Sequence, residues 1–358
     1  MDIARDSALA LVQWYEENKR DLPWRRTGDP YEIWISEIML QQTRIETVID
    51  YFLRFRDALP SLKDLADCPE DRLLKLWEGL GYYSRVRNMQ KCARYLADHG
   101  RDNLPASYEE LLKLPGIGPY TAGAVSSIAF GIPRPAVDGN VLRVLARLFA
   151  VQEDIRSTAV KRTMEDTINR FYAGNPDLCA DPSFISSFTQ GLMELGALVC
   201  IPNGIPRCTQ CPWGSVCLAR AQDAVDTIPF RSASKERRVI PMTVFIVYDG
   251  LRITLQRRPE KGLLAGLYEF PHTEGHLDAE ESRKYLQQSG ISAVHMEALQ
   301  DRKHVFTHLV WDLKGWLVQA AHIPDSVPAV PLAEFPDYAL PAAFDEYRKA
   351  AMSRIVVC

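Results

Sequence analysis

The sequence lacks the features that place a protein in a membrane or outside the cell. No stretch approaches the roughly eighteen consecutive apolar residues that indicate a transmembrane helix. The first twenty residues are acidic and amphipathic, whereas a signal peptide has a basic head and an apolar run. We therefore expect a cytoplasmic protein with no membrane partner, associated with the nucleoid if its source is bacterial.

The chain also lacks the excess of positive charge that marks many nucleic-acid-binding proteins, because its formal net charge is −4. Contact with nucleic acid would need a local basic face, and its candidates recur at near-helical spacing: Arg85, Arg87, Lys91, Arg94, Arg143 and Arg147. Such spacing is equally typical of a solvated helix face. Tyr82 and Tyr83 follow the flexible segment 79–81, which suits aromatic wedges beside phosphate-binding arginines or, equally, core tyrosines.

Alternation of apolar and polar residues is scarce before residue 110. Amphipathic helical periodicity, interrupted by prolines and glycines, predicts an all-helical region there. The polar stretch 226–238 indicates a linker, after which 240–248 is β-rich, Asp249-Gly250 predicts a hairpin turn and 251–256 a returning strand. A chain of 358 residues is long enough for two domains with separate cores.

One carboxyl stands out in the helical region because its surroundings are apolar. Pro30 begins an apolar helix, and Glu37 lies in its middle with Ile33 and Leu40 on the same face. Apolar surroundings disfavour ionisation and raise the pKa of a carboxyl, as a general acid requires at neutral pH. The alternative is a glutamate that reaches solvent or pairs with an arginine.

The segment from Leu111 to Leu148 combines a possible anion site with a second carboxyl. The turn 114–118 contains Gly116 and Gly118 and precedes a small-residue helix predicted over 120–130. Its amide N–H groups and the helix N-terminus can together hold a phosphate. Asp138 then begins another apolar helix, which would bring a carboxylate close to this hairpin. The simpler interpretation makes the turn a helix connection and Asp138 a helix cap.

Four of the eight cysteines are clustered, namely Cys200, Cys208, Cys211 and Cys217. In a cytoplasmic protein such a cluster indicates a metal site rather than disulfides. Structural zinc normally uses two close pairs, and only Cys208 and Cys211 form one here. The uneven spacing favours an iron–sulfur cluster over zinc.

Taken in order, the Glu37 helix, GLGYYSR at 79–85, LPGIGPYTAGA at 114–124, VDGNV at 137–141 and the cysteine loop resemble the helix-hairpin-helix DNA glycosylases, most closely their MutY-type adenine branch. The resemblance implies a mainly α glycosylase fold over residues 1–225, with the helix-hairpin-helix at 111–130. It also implies an iron–sulfur loop at 200–217, whose four cysteines hold a 4Fe-4S cluster. The first cysteine gap, 201–207, is one residue longer than is usual in this family.

The resemblance assigns roles to single residues. Glu37 would protonate adenine, ionised Asp138 would stabilise the sugar cation, and Tyr120 and Asn140 would position these groups. The implied base pocket comprises Arg20, Trp24, Arg25 and Leu40, and the implied DNA-binding residues are Gln42, Tyr82, Gly116, Gly118, Arg85, Arg87 and Arg143. Because Tyr120 stands where bifunctional relatives place a lysine nucleophile, the resemblance implies hydrolysis without strand cleavage.

Residues 239–358 resemble the Nudix-like α+β domain appended to these enzymes, through GLLAGLYEFP at 262–271. An acidic magnesium-binding helix is not recognisable in 274–290, so we expect a reader domain rather than a second enzyme. The family commonly carries Phe-Ser-His in the loop that reads 8-oxoguanine. Here the corresponding residues are Phe306, Thr307 and His308, on a strand-like stretch.

The function that the resemblance implies is base excision repair by a monomeric, monofunctional glycosylase. It would release adenine mispaired with 8-oxoguanine or guanine in duplex DNA, after flipping the base out of the helix. Two alternatives stay open. One is an endonuclease III-like glycosylase with lyase activity; the other is a non-catalytic DNA-binding scaffold in which Glu37 joins a salt bridge and Asp138 only caps a helix.

Overall fold

The computed structural model describes residues 1–232 and 236–356. Contacts divide the chain into two compact units, Met1–Asp67 with Arg85–Ala233 and Cys68–Ser84 with Ser234–Cys358. Sequence analysis assigned Cys68–Ser84 to the helical domain, whereas its contacts belong to the C-terminal unit. The predicted domain boundaries at 225 and 239 stay predictions. Residues 233–235 of the predicted linker and 357–358 of the predicted second domain lie outside the described residues.

Before residue 232 the chain is helical, as its periodicity predicted. The helices are α1 (Arg5–Asn18), α2 (Pro30–Leu40), α3 (Ile45–Ala58), α4 (Leu62–Asp67), α5 (Glu70–Leu76), α6 (Ser84–Asp98), α7 (Tyr108–Leu111), α8 (Pro119–Phe130), α9 (Gly139–Leu148), α10 (Thr158–Gly174), α11 (Pro176–Cys179), α12 (Pro182–Leu198) and α13 (Leu218–Ala221). Short 3-10 turns lie at Pro23–Arg25 and Cys208–Gln210. Proline occupies the first turn of α2, α8 and α12, where its missing N–H removes no helical hydrogen bond.

Helix α12 is central to the first unit and packs against α1, α8 and α9. Its inward side chains join those of α9 and α10 in an apolar core that includes Leu145, Ile168 and Phe188. Gly196 of α12 allows the first turn of α9 to approach closely, since a Cβ at this position would lie 2.6 Å from the Cβ of Asn140. This approach fixes the Asp138 end of α9 against α12.

The C-terminal unit is built on a mixed sheet. Its elements are β1 (Arg238–Tyr248), β2 (Arg252–Thr254), β3 (Gln256–Arg257), β4 (Tyr268–Glu269), β5 (His272–Glu274), α14 (Ala279–Gln288), β6 (Ala293–Val305), β7 (Leu309–Ala320), β8 (Ala329–Pro331) and α15 (Asp345–Ala351), with 3-10 segments at Leu332–Asp337 and Ala342–Phe344 and a π-helical turn at Met352–Val356. The strand order is β6-β7-β1-β2-β8, with β5 also paired to β1 and with β3 and β4 forming a separate pair. Strands β1 and β7 are parallel, and the other pairs are antiparallel.

Alternate side chains of β1 bury on opposite faces of this sheet, as the period of a strand requires. Val244 and Ile246 pack in one core with residues of α15, whereas Phe245 and Val247 pack in another with Leu286 of α14. The predicted hairpin at Asp249-Gly250 is confirmed by the antiparallel pairing of Tyr248 with Ile253. The C-terminal unit is therefore an α+β unit whose sheet is covered by α15 on one face and by α14 on the other.

One local prediction is wrong in this unit. Phe306, Thr307 and His308 do not lie on a strand but form the turn between β6 and β7. The turn is closed by the Phe306 amide, which donates to the carbonyl oxygen of Leu309 over 2.8 Å. Among the residues described, no helix has the length and apolar character to span a membrane.

Candidate active site

The predicted helix-hairpin-helix is present between α7 and α8. Gly116 takes a φ of +75°, and a Cβ there would lie 2.5 Å from the Cβ of Asn88, so this position requires glycine. Gly118 is the N-cap of α8 and has an extended backbone, with a φ of −93° that other residues can also adopt. It leaves the N-terminus of α8 open, since among the described residues only its chain neighbours come within 4 Å of the position that a Cβ would take.

The helical unit contains a cavity of about 730 Å³ at the same place. It brings together the predicted catalytic residues, the predicted base pocket, the hairpin glycines and one predicted wedge residue: Glu37, Asp138, Tyr120, Asn140, Arg20, Trp24, Arg25, Leu40, Gly116, Gly118 and Gln42. Gln42 takes a left-handed φ of +59° and follows Gln41, the C-cap of α2. Residues that lie far apart in sequence therefore share one pocket large enough for a nucleobase.

Glu37 is the buried carboxyl of this cavity. It lies on α2, whose residues from Ile33 to Met39 are all buried, and is itself only 6% exposed. The phenolic hydroxyl of Tyr120 donates to its Oε2 over 2.6 Å. Burial raises the pKa of Glu37 to about 7, against the hydrogen bond from Tyr120, and the negative charge of Asp138 raises it too. At neutral pH a large fraction of this carboxyl carries a proton.

Asp138 is held in a different way, as the N-cap of α9. Its Oδ1 accepts from the backbone N–H groups of Asn140 and Val141 over 2.9 and 2.7 Å, and its Oδ2 accepts from the side-chain amide of Asn140 over 2.8 Å. Burial raises the pKa of Asp138 above its ordinary value, although these three donors and the charge of Arg143 act in the opposite direction. The cap interpretation and the active-site interpretation are thus both compatible with this geometry, because the carboxyl group that caps α9 also lines the cavity.

Sequence reasoning missed Glu194 of α12, which also lines the cavity. Its buried carboxylate accepts from the Arg20 guanidinium over 2.8 and 2.7 Å and from the Arg25 guanidinium over 3.1 and 2.9 Å. Although burial raises the pKa of Glu194, these hydrogen bonds lower it to about 2. The signal that singled out Glu37, a carboxyl within an apolar helix, is also present around Glu194.

A lysine from outside the recognised motifs lines the same cavity. Lys161 of α10 reaches it, with its ammonium 3.8 Å from a carboxylate oxygen of Glu165. The residue after the hairpin is Tyr120, as the sequence showed, but an amine is nevertheless present at the pocket wall. Any test of the chemistry must therefore include a test for a Schiff base.

Two arginines predicted to bind DNA have internal roles. Arg143 is only 3% exposed, and its guanidinium donates to the carbonyl oxygens of Cys200 and Gly196 and to Oδ1 of Asn140. The prediction of a phosphate contact is therefore wrong for Arg143, because its guanidinium faces the protein interior.

Arg85 donates through Nη1 to the carbonyl oxygens of Ile38 and Met39, over 2.8 and 3.1 Å, and so caps the C-terminal end of α2.

The remaining predicted DNA-binding arginine, Arg87, lies on α6 and is half-buried. Its DNA contact stays a prediction.

The four clustered cysteines line one small, mostly apolar pocket beside α9 and α12. Cys200 follows α12, Cys208 and Cys211 flank a 3-10 turn, and Cys217 is the N-cap of α13. Arg147 donates to the sulfur of Cys200 over 3.3 Å. Residues 202–205, in the longer first gap, protrude into solvent, and the Arg207 amide closes their loop on the carbonyl oxygen of Val199 over 3.0 Å. The extra residue is thus accommodated outside the pocket.

The donor set fits a metal group that binds thiolates. Burial and the proximity of the other three thiols raise the pKa of Cys211 to about 11, so thiolates here would need a cation to offset their charge. Within the described ranges, no three His, Cys, Asp or Glu side chains come together as ligands of a single ion. All four thiols line this one pocket, so a metal group bound there would be held by cysteine sulfurs.

The other predicted DNA-contacting residues lie in the C-terminal unit. Tyr82 is 48% exposed, and its hydroxyl lies 3.3 Å from Oγ1 of Thr307. Thr307 and His308 are exposed at the tip of the β6–β7 turn. Phe306 is half-buried and packs edge-on against Trp311 with ring centroids 4.9 Å apart. Of the three predicted 8-oxoguanine readers, Thr307 and His308 are exposed and Phe306 is half-buried.

Comparison with known families agrees with this arrangement. A family profile described as HhH-GPD superfamily base excision DNA repair protein matches residues 35–170, and a NUDIX domain profile matches residues 243–350. The first match contains Glu37, the hairpin and Asp138. The second covers most of the mixed sheet.

Full-length relatives extend the match across both units. The human adenine DNA glycosylase is 34% identical over 86% of this chain and 66% of its own length. The enzyme of the same name from Buchnera aphidicola strain Bp is 33% identical over 84% of this chain and 82% of its own. The chain belongs to the adenine DNA glycosylase family. It spans about two thirds of the length of the human family member.

A solved structure supports the fold of the helical part of this family member. The structure of a thermostable thymine-DNA glycosylase matches 60% of this chain and 95% of its own, with a TM-score of 0.51 and 26% identity. The helix-hairpin-helix fold is therefore shown by structure as well as by sequence.

The raised pKa of Glu37 predicts a pH-dependent stability. Because its folded-state pKa of about 7 lies above its ordinary 4.5, its stabilising contribution is complete below pH 4.5 and is lost as pH rises through 7. Between these limits the wild type should lose at most about 3 kcal/mol relative to Glu37→Gln. Urea unfolding of both proteins at several pH values measures this difference. The exposed Glu17→Gln is the control, and equal pH dependence of wild type and Glu37→Gln would contradict the burial of a protonated carboxyl.

Proposed function

We propose that this protein hydrolyses the N-glycosidic bond of adenine mispaired with 8-oxoguanine or guanine in duplex DNA, without cleaving the strand. The observation that carries the proposal is the pair of carboxyls in one cavity. Glu37 is buried and has a raised pKa, whereas Asp138 is held by three hydrogen-bond donors. Their environments separate their roles into acid and anion. The cavity accepts a base only after the base leaves the helical stack, so base flipping is part of the proposal.

Glu37 acts first as the general acid. Its proton passes to N7 of the flipped adenine, which then leaves with the electron pair of the N-glycosidic bond. Tyr120, bonded to Oε2 of Glu37 over 2.6 Å, orients the carboxyl. The resulting carboxylate of Glu37 can then take a proton from the water that attacks C1′ of the sugar.

Asp138 supports the cation that forms at the sugar. Departure of adenine leaves an oxocarbenium-like C1′, and a carboxylate beside it lowers the energy of this state electrostatically or by a transient bond. The capping donors of α9 keep Asp138 in place as an anion. Arg143 orients Asn140, which in turn donates to Asp138.

Base binding uses the polar part of the cavity wall, which is formed by Arg20, Arg25 and Glu194. Glu194 fixes the guanidinium groups of Arg20 and Arg25 through its carboxylate. Trp24 gives this wall an apolar surface, packed edge-on against Phe52 with ring centroids 5.4 Å apart. A purine with ring nitrogens and an amino group can use both the charged and the apolar parts of this wall. Gln42 and Tyr82 would fill the gap left in the duplex.

The four-cysteine pocket would hold a 4Fe-4S cluster through Cys200, Cys208, Cys211 and Cys217. The cluster would supply positive charge that offsets part of the charge of the four thiolates, and it would brace the loop 200–217. Arg147, which donates to the Cys200 sulfur, stabilises a thiolate there. This role is structural, because the cysteine pocket and the cavity of Glu37 have different linings.

Thr307 and His308 would read 8-oxoguanine opposite the adenine. Both are exposed, and the hydroxyl of Thr307 lies within reach of Tyr82. Thr307 keeps the hydrogen-bonding capacity of the serine that the family commonly carries and adds a methyl group. The predicted monomeric state and cytoplasmic location stay predictions.

Single-turnover base release tests this proposal. Duplexes carry adenine opposite 8-oxoguanine, guanine or thymine, and free adenine and strand nicks are measured separately. We expect release from the first two duplexes and nicks only after alkali. Glu37→Gln should lower the rate constant by about two to four orders of magnitude with DNA affinity retained. Glu32→Gln, on the same helix but outside the cavity, should not.

Each alternative predicts a different result in this assay. A protein–DNA adduct trapped by borohydride would establish a lyase, with Lys161 as the first amine to replace. Tight binding without release from any duplex would establish a scaffold. Wild-type rates in Glu37→Gln would show that the acid is another group.

The reader role of the β6–β7 turn has its own test. The double variant Thr307→Ala with His308→Ala should erode the preference for 8-oxoguanine over guanine.

Metal analysis tests the cluster separately. The purified protein should contain about four iron atoms and about four inorganic sulfides per chain. Cys208→Ala should lose them, whereas Cys179→Ala, outside the cysteine pocket, should keep them. About one zinc per chain, with no iron after anaerobic purification, would contradict the cluster.

A further inference from the structure

Tyr82 belongs, by its contacts, to the C-terminal unit. The segment Cys68–Ser84 carries α5 and the turn with Tyr82, and it clusters with the residues after 234. Asp71 and Leu74 of α5 line a cavity together with Tyr268 and Tyr338. The segment that carries Tyr82 is therefore packed within the C-terminal unit.

Glu78, four residues before Tyr82, is bound from three sides in this unit. Its Oε1 accepts from the guanidinium of Arg348 on α15 and from the Leu340 amide, the latter over 2.9 Å. Its Oε2 lies 2.8 Å from the ammonium of Lys75. The side chains of Glu78 and Arg348 are each only 18% exposed, so solvent screens their attraction less than at an open surface.

The side chains of Arg348 and Lys75 also share a second acceptor, the carbonyl oxygen of Pro336. Arg348 Nη2 donates to the carbonyl oxygen of Pro336 over 2.7 Å, and the Lys75 ammonium donates to it over 2.5 Å. Arg348 therefore joins α15, the 3-10 segment that contains Pro336, and the end of α5. Loss of its guanidinium would release the Glu78 carboxylate from α15.

The turn that follows Glu78 has an unusual backbone. Gly79 and Gly81 take φ of +96° and +69°, and Tyr82 itself takes +47°, which is unfavourable for a residue with a bulky side chain. The indole N–H of Trp77 donates to the carbonyl oxygen of Gly81 over 3.0 Å. Such a conformation persists only where neighbouring contacts impose it.

We propose that Arg348 is a positioning residue for Tyr82. Through its ion pair with Glu78 it anchors the start of the 79–83 turn and thereby holds the tyrosine ring ready to enter the base stack. The inference rests on the proposed function, in which Tyr82 is a wedge. It assigns to the C-terminal unit a part in base flipping that does not depend on contact between Arg348 and DNA.

Fluorescence of a flipped base tests this role in the full chain. All proteins carry Glu37→Gln so that the base stays attached, and 2-aminopurine replaces the target adenine opposite 8-oxoguanine. The fluorescence rise at saturating protein reports extrusion, and anisotropy reports affinity separately. Arg348→Gln and Glu78→Gln should each lower the extrusion equilibrium about tenfold, as loss of a partly buried ion-pair partner can. Arg354→Gln removes another ion pair of the same unit, with Glu297, and should leave extrusion unchanged.

A double variant separates positioning from general destabilisation. In the Tyr82→Ala background, Arg348→Gln should cause no further loss, because the residue that it positions is already absent. Additive losses would overturn the inference, as would an Arg348→Gln result equal to that of Arg354→Gln. A normal fluorescence rise with Tyr82→Ala alone would overturn the wedge itself. Reduced extrusion with Tyr82→Ala but not with Arg348→Gln would leave the wedge and remove only the role of Arg348.

Discussion

The burial of one carboxyl, Glu37, is the constraint on which the site depends. An ionised carboxylate in an apolar helix would be costly, and the chain accommodates it by raising its pKa to about 7 and giving it a hydrogen bond from Tyr120. Burial raises the pKa of Asp138 as well, but the N-terminal donors of α9 and the charge of Arg143 act against that rise. The two carboxyls of the cavity thus have different surroundings, an apolar helix around Glu37 and hydrogen-bond donors around Asp138.

A second set of contacts joins this site to the cysteine loop. Arg143 donates to Asn140, which holds Asp138, and also to the backbone carbonyl of Cys200. Arg147, one turn later on α9, donates to the sulfur of Cys200 and to the carbonyl oxygen of Ile201. Helix α9 therefore carries both the Asp138 cap at its start and the arginines that contact the cysteine pocket along its length. A structural cluster in that pocket would stabilise the position of Asp138 without taking part in the chemistry.

Much of this site could be predicted from sequence because its signals are local. The apolar run around Glu37, the hairpin glycines and the cysteine cluster each lie within a few turns of chain. The same local signal is present at Glu194, but its pairing with Arg20 and Arg25, which lie 174 and 169 residues away, could not be predicted from the sequence. Arg143 was misassigned because helical spacing cannot show that both faces of α9 are buried. Segment 68–84 was assigned to the helical domain because its place in the sequence does not show which unit its contacts belong to.

The pH dependence of the chemical step tests the acid role of Glu37 most directly. Single-turnover rate constants for adenine release opposite 8-oxoguanine should fall about tenfold per pH unit above pH 7, as the carboxyl loses its proton. Because the hydrogen bond from Tyr120 lowers the pKa of Glu37, Tyr120→Phe should move this limb to higher pH. A rate constant that is independent of pH between about 6 and 9, or a limb that Tyr120→Phe moves to lower pH, would contradict the assignment of Glu37 as the acid.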